Sequence, residues 1–193
     1  MKPAYTLSVA TAATLFPMTL DEVKSYLRVV DAAEDAVVEQ CYRAAIEQAQ
    51  QAQDRTFLTT TYTMKLDTFP ESDTILLPTS PLQSVTSITY LDYAGSSQTL
   101  ATTVYAVDTS REPPRITLKY AQSWPGTYGQ ANDVTVTFVA GYTSAANVPY
   151  SSKLLVLQLA GDLYENRQPT DANKVDLSVV NALAASGRVW TVA

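Results

Sequence analysis

The spacing of apolar residues changes twice along this chain, and that double change limits the folds open to it. Residues 19–58 place apolar side chains at steps of three and four, the period of an amphipathic helix. Residues 59–148 are rich in Thr, Val, Ile and Tyr and alternate in the manner of strands. Helical spacing returns in residues 149–193. The sequence therefore predicts an α+β fold, with terminal α-helices packed together, an inserted antiparallel β module, and residues 1–18 as an extended N-terminal arm.

Capping signals mark the first helical part. Thr19 and Glu22 stand three residues apart, as in a capping box, in which each side chain satisfies a backbone N–H at a helix start. Asp31 and Glu34 repeat that spacing. A longer helix is predicted from about residue 32 to residue 56. Its apolar stripe consists of Val38, Cys41, Tyr42, Ala45, Ala49 and Ala52. The alanines make the stripe shallow, so another element can approach it closely.

The C-terminal helical part differs in that it is apolar nearly all round. It is predicted to begin near Ser151 or Ser152, after Pro149, and to end near residues 166–169. Its apolar residues are Leu154, Leu155, Val156, Leu157, Leu159, Ala160, Leu163 and Tyr164. A helix of this kind is usually buried on all sides.

Short alternating runs and turn signals organise the middle of the chain. The cleanest alternation is Val134, Val136, Phe138 and Ala140. Asp92–Ser96 suits a hairpin turn. The two prolines between Pro78 and Pro81 limit strand pairing and predict a rigid crossing between strands. Several short strands separated by such signals favour an antiparallel β module.

Charge and composition exclude several classes of function. The formal net charge is −6, and no run of basic residues offers a surface for DNA phosphates. The chain has no histidine, which removes the commonest general base and metal ligand. Its single cysteine cannot form an internal disulfide. No window approaches the roughly 20 apolar residues of a membrane span. We therefore expect no sequence-specific DNA binding and no membrane association.

No group of residues predicts catalysis. Cys41 lies on the helical stripe and is expected to be a small buried hydrophobe, since no histidine is present to activate it. The Asp and Glu residues of the middle segment fall in or beside turns, where Asp bonds the local backbone. Neither a Cys/His metal pattern nor a glycine-rich phosphate loop occurs. We expect a protein that is not an enzyme and that takes no cofactor and no metal.

Short motifs follow one another along the chain in a fixed order: residues 19–29, residues 77–92 followed by Gly95, Tyr105–Asp108, Arg115-Ile116, Trp124-Pro125, residues 136–142, Val148-Pro149, residues 163–167, and Arg188–Trp190. Each motif is weak alone, but their shared order covers nearly everything after the arm. This order resembles that of the head-to-tail connector (adaptor, or head-completion) proteins of tailed bacteriophages. One departure is the soft stretch Ala184–Gly187, where the family has a bulkier, proline-containing segment.

This resemblance implies a structural virion protein that forms a homo-oligomeric ring, dodecameric on the portal. The ring would lie in the neck beneath the portal protein, extend the DNA channel, and offer a platform to a tail-completion or stopper protein. Double-stranded DNA would pass without sequence-specific binding. The protein would assemble in the host cytoplasm. Closed cyclic symmetry requires one face of a subunit to meet a different face of the next.

Two sets of residues are expected to make these contacts. Trp and Arg are enriched at interface hot spots, so the C-terminal segment is the candidate for portal docking, although Trp190 packing on its own domain is an equal alternative. The apolar helix is the candidate for subunit contact, with cover by the long helix of the same chain an equal alternative. The portal-docking candidates are Leu183, Arg188, Val189 and Trp190; the subunit-contact candidates are Leu154, Leu157, Tyr164 and Arg167.

Other classes of protein remain as alternatives. A tail-completion or baseplate subunit would share the structural role but would not bind the portal. A carbohydrate-binding β module would expose some of the 12 tyrosines for stacking on sugars. The carbohydrate-binding hypothesis does not explain the apolar helix near Leu157. Four of the tyrosines lie in or next to strand patterns and are expected to pack a sheet face: Tyr62, Tyr90, Tyr105 and Tyr142.

Overall fold

The computed structural model describes residues 5–166 and 177–189, and within them the chain forms two compact units. The strand unit comprises residues 5–14 and 59–142, and the helical unit comprises residues 15–58 and 143–189 as far as they are described. With helices and antiparallel sheets in separate units, the predicted α+β class is confirmed.

The strand unit contains two antiparallel sheets. The five-stranded sheet has the order β1-β2-β8-β4-β5, and the three-stranded sheet has the order β3-β7-β6. The strands are β1 Tyr5–Thr11, β2 Thr60–Leu66, β3 Thr74–Leu76, β4 Leu82–Leu91, β5 Ser97–Thr99, β6 Tyr105–Asp108, β7 Arg115–Leu118 and β8 Val134–Ala140. The arm was expected to be extended, and the structure shows that residues 5–11 of it pair with β2 as an edge strand.

The core of this unit lies where the two sheets share their apolar side chains. Strand β8 alternates as the sequence predicted, and its inward residues Val134, Val136 and Phe138 are fully buried. Ile75 and Ile116 bring the three-stranded sheet into the same cluster. Residues 78–81 carry the chain from one sheet to the other, as the paired prolines predicted.

The β4–β5 hairpin closes through the side chain of one aspartate. The Asp92 carboxylate accepts hydrogen bonds from the backbone N–H groups of Ala94 (2.9 Å) and Ser96 (3.0 Å) and from the Gln98 amide (2.8 Å). These bonds, that from Gln98 first, lower the pKa of Asp92. Gly95 takes a positive φ of 76°, a conformation that glycine adopts at little cost. The predicted turn at Asp92–Ser96 is therefore confirmed.

The helical unit contains four α-helices, with bounds α1 Leu20–Leu27, α2 Asp35–Gln53, α3 Tyr150–Glu165 and α4 Leu177–Gly187. Short 3-10 turns precede α2 and α3. Helix α2 packs against α3, and α4 packs against both. The predicted association of N-terminal and C-terminal helices is thus present within this unit.

The predicted caps hold the start of the unit. The backbone N–H of Glu22 donates to the Thr19 hydroxyl (3.2 Å), and the backbone N–H of Thr19 donates to the Glu22 carboxylate (2.7 Å). The bond from the Thr19 backbone is the main reason that the pKa of Glu22 is lowered. The Tyr42 hydroxyl of α2 accepts from the backbone N–H of Met18 (2.8 Å) and donates to its carbonyl (2.9 Å). Burial raises the pKa of Tyr42 to about 12.

Candidate functional site

The C-terminal segment of the helical unit is attached to α2 and α3 through one buried glutamine. The Gln53 side chain, fully buried at the end of α2, donates to the carbonyl of Leu183 (3.1 Å) and accepts from the Ser152 hydroxyl (2.8 Å). The backbone carbonyl of Gln53 accepts from the N–H of Val189 (3.0 Å). One residue therefore connects α2, α3 and the segment that follows α4.

The end of α4 fits closely around this glutamine. A Cβ atom added at Gly187 would lie 2.4 Å from the Gln53 side-chain nitrogen, a distance that real contacts do not show. The Arg55 guanidinium donates to the carbonyl of Gly187 (2.5 Å), and Arg188 forms an ion pair with Asp54 at 3.4 Å. A side chain at residue 187 would therefore displace the Gln53 amide from its present position.

The predicted portal-docking residues fall into three situations. Val189 is buried within the helical unit, and Leu183 is half-buried with its carbonyl bound by Gln53. Arg188 keeps about half of its side chain exposed beside Asp54. Trp190 lies outside the described residues. Two of these side chains therefore anchor the segment to its own unit, and their predicted role in docking remains a prediction.

The predicted subunit-contact helix, α3, is only partly covered. Leu155, Val156 and Ala160 are buried, whereas Leu157 is half-buried and Leu154 is 40% exposed. The long helix of the same chain thus supplies much of the cover, which was one of the two alternatives.

The two ends of α3 differ in what they contact. At the C-terminal end, the Tyr164 hydroxyl lies 3.4 Å from the Glu34 carboxylate, and a Cβ at Gly161 would touch Leu27 of α1. At the N-terminal end, Tyr150 is 86% exposed one turn before Leu154 on the same side of the helix. Arg167 lies outside the described residues. The exposed apolar part of α3 is therefore Tyr150 and Leu154.

Sequence reasoning missed Gln53 because its spacing was ambiguous. From Ala49 the helical stripe continues equally well to Ala52, three residues on, or to Gln53, four residues on. The predicted stripe takes the apolar continuation, Ala52. The structure exposes Ala52 and buries Gln53. Gly187 was the available signal in the sequence, because a residue without a side chain allows another side chain to pack closely against it.

In residues 5–166 and 177–189, the structure shows packing contacts and no cluster of side chains arranged for a reaction. Among the described residues, no group of three or more His, Cys, Asp or Glu side chains is placed to hold a metal ion. Cys41 is half-buried on α2 rather than on its fully buried stripe. In the same described part of the chain, no helix is both long and apolar enough to cross a membrane.

Comparison with known families gives a match over more than half of the chain. The family model of phage gp6-like head-tail connector proteins matches residues 17–124. This chain belongs to that family. The family predicted from the order of motifs is thereby confirmed, and the chain is a structural head-tail connector. Membership in a structural virion family indicates a role that does not depend on catalysis.

Solved structures agree over nearly the full length of this connector. The neck of an empty GTA particle, computed with C6 symmetry, contains a chain that matches with a TM-score of 0.81 and 25% identity. A chain of the virion of a native gene transfer agent (GTA) particle matches with a TM-score of 0.82 and 25% identity. The neck of a native GTA particle, computed with C12 symmetry, matches at 0.79 and 24%. In each case the match covers 97% of both chains. No curated protein gives a significant match.

One motif behind the resemblance has a structural role in this connector. The Trp124 ring stacks on Phe69 with centroids 5.0 Å apart, and its indole N–H donates to the carbonyl of Ser72 (2.9 Å). Phe69 in turn meets the edge of Tyr90. The Trp124-Pro125 motif thus fixes a loop against the strand unit's core.

Proposed function

We propose that this connector forms a closed ring in the neck beneath the portal, extends the DNA channel and supplies the platform for a tail-completion protein. The observation that carries the proposal is the match over 97% of both chains to a component of a neck computed with C6 symmetry. A dodecamer can have sixfold symmetry, as a hexamer does. The dodecameric ring predicted from the resemblance is therefore compatible with the C6 symmetry of that neck. No chemical step is required, because shape and binding energy join the parts.

The acidity of the connector supports passage of DNA rather than capture. A net charge of −6 repels the phosphate backbone, and the sequence contains no run of basic residues that would release counterions on binding. A duplex moving through such a ring would not be held. Strong, salt-sensitive DNA binding by the purified protein would contradict this part of the proposal.

Silencing the gene in the producing phage tests the function directly. We expect electron micrographs to show tailless heads beside separate, complete tails, with DNA leaking from the heads, because the joint between them is missing. Supplying the gene in trans should restore joined particles. Intact virions after silencing would contradict the connector role. Heads without any assembled tails would instead indicate a tail-building role.

The C-terminal segment is the proposed portal-docking site, and the structure refines how to test it. Ending the chain after Gly187 would remove the bond from Val189 to Gln53 as well as the docking residues. A chain that ends after Val189 keeps that bond. We expect this truncated chain to melt within a few degrees of the full-length protein. Its co-sedimentation with portals should fall at least about tenfold, because a lost interface hot spot weakens binding by about 1.4 kcal/mol or more.

The matched control for this truncation is the full-length chain carrying Thr191→Ala, which keeps Trp190. It should co-sediment with portals as the unaltered chain does. Normal incorporation of the chain that ends after Val189 would exclude the docking role of the residues beyond it. The truncation does not alter the proposed subunit contact through Leu154 of α3, because Leu154 precedes the truncated segment.

A further inference from the structure

Strand β1 is an edge strand without the usual protection against pairing. Proteins generally protect sheet edges with charged residues, prolines or short strands. Strand β1 spans Tyr5–Thr11, contains no charged residue or proline, and is exposed at every position. The opposite edge strand, β5, has only three residues. The long β1 edge is therefore open to a partner.

One face of β1 lies on the core-facing side of the sheet, but the described part of the chain leaves it exposed. Leu7 is paired with Met64 and Tyr5 with Leu66, and paired residues project from the same side of a sheet. Met64 and Leu66 are buried in the core, whereas Tyr5, Leu7 and Val9 are 43%, 37% and 55% exposed. Three strands in the second sheet do not reach across all five of the first. An apolar strip, defined by Tyr5, Leu7 and Val9, is left uncovered.

The charge distribution indicates what kind of partner fits this strip. No charged residue occurs from Pro3 to Leu20, although the whole chain carries 13 basic and 19 acidic residues. DNA phosphates would find no cation there. A second copy of this acidic chain would meet no repulsion there, since the strip is uncharged.

A complementary surface exists at the opposite edge of the same sheet. In the order β1-β2-β8-β4-β5, the β4–β5 hairpin lies four strand spacings from β1, about 19 Å away. The hairpin carries one charge, the Asp92 carboxylate, which accepts hydrogen bonds from within the hairpin. The sequence stretches 93–107 and 120–132 contain no charged residue. Tyr93 and Tyr128, which are 79% and 48% exposed, lie on this hairpin edge, and tyrosine is enriched at interfaces.

We infer that β1 and its apolar strip form a subunit contact of the ring, packing against the hairpin edge of the next copy of the chain. Cyclic rings need two different faces on opposite sides of each subunit, and these two edges meet that requirement. The inference rests on the proposed ring and adds the surface by which it closes. This contact lies at strand β1 and is separate from the proposed subunit contact through α3.

Two variants of adjacent residues test the contact in assembled particles. Leu7→Glu places a charge on the strip, and Thr6→Glu places the same charge on the other face, opposite Lys65, where it is favourable. Position 7 is exposed, so both proteins should melt within a few degrees of the unaltered chain. We expect Leu7→Glu to reduce the copies of the chain per particle at least about tenfold and Thr6→Glu to change them less than about twofold.

A photo-crosslinking residue in place of Tyr5 identifies the partner without depending on assembly of a weakened variant. With p-benzoylphenylalanine there, irradiated particles should give bands at multiples of the 21.0 kDa chain, with crosslinked peptides from residues 93–107 or 120–132. A product with a different protein, no product, or normal incorporation of Leu7→Glu would overturn the contact. Absence of the unaltered chain from particles would instead overturn the ring itself, so the two failures are distinguishable.

Discussion

Phe138→Ala is expected to lower the free energy of unfolding of the strand unit by about 3–5 kcal/mol, the usual cost of removing a buried phenylalanine ring. Phe138 is fully buried in β8, the central strand of the five-stranded sheet, between Tyr62 of β2 and Val85 of β4. Its ring stacks on that of Tyr62 with centroids 5.6 Å apart. The surrounding strands are fixed by their hydrogen bonds, so they cannot collapse into the space that the ring leaves.

Chemical denaturation followed by circular dichroism measures this loss. Val139→Ala is the matched control, because the neighbouring residue in β8 points to the opposite face and is only half-buried. It should cost about 1 kcal/mol, within the range of ordinary substitutions. A loss at Phe138 no larger than that at Val139 would contradict the described core.

Gln53→Ala should destabilise the helical unit by about 2–4 kcal/mol. The substitution leaves the buried Ser152 hydroxyl without the partner that it has now, and a buried unsatisfied group costs about 1–3 kcal/mol. It also removes one of the hydrogen bonds to the Leu183 carbonyl, which still accepts from the Ser186 hydroxyl (2.9 Å). It also opens a cavity against Gly187, which packs on this side chain. The attachment of α4 should weaken, since residue 53 loses its side-chain bond to Leu183 and keeps its backbone bond to Val189.

Denaturation and limited proteolysis together check this expectation. Gln51→Ala is the control, because Gln51 lies on the same helix with an exposed side chain. It should change stability by less than about 0.5 kcal/mol and leave the cleavage pattern unaltered. Gln53→Ala should give early cleavage after residue 166. Equal stability and equal cleavage in the two variants would show that Gln53 does not hold α4 in place.

Gln53 also bears on the proposed docking of the C-terminal segment, because it fixes where that segment begins. Residues 188 and 189 are fixed to the helical unit by the Asp54 ion pair and by the Gln53 carbonyl. A docking segment that begins at a fixed point loses less freedom on binding than one on a mobile linker, so pre-organisation favours affinity. If the segment docks on the portal as proposed, Gln53→Ala, which removes the side-chain bond to Leu183, should weaken portal binding together with the anchorage of α4.

Local patterns in the sequence determined the types of elements and several of their ends. The period of apolar residues distinguished the helical parts from the strand part, because that period depends only on neighbours within a few residues. The caps at Thr19 and the turn at Asp92 were predicted for the same reason, since their hydrogen bonds span two to six residues. The family was also predicted from the order of local motifs, and the match to the connector model confirmed it.

Only the tertiary structure decided which elements pair and which surfaces remain open. Gln53 is buried because its side chain meets Ser152 and Leu183, which lie 99 and 130 residues further along the chain. Strand β1 joins the sheet through β2, with partners 50 to 61 residues away, where no local pattern could place it. Periodicity specifies a face but not what covers it, because cover depends on contacts between distant segments. The exposed strip on β1 and the half-covered face of α3 were therefore visible only after folding.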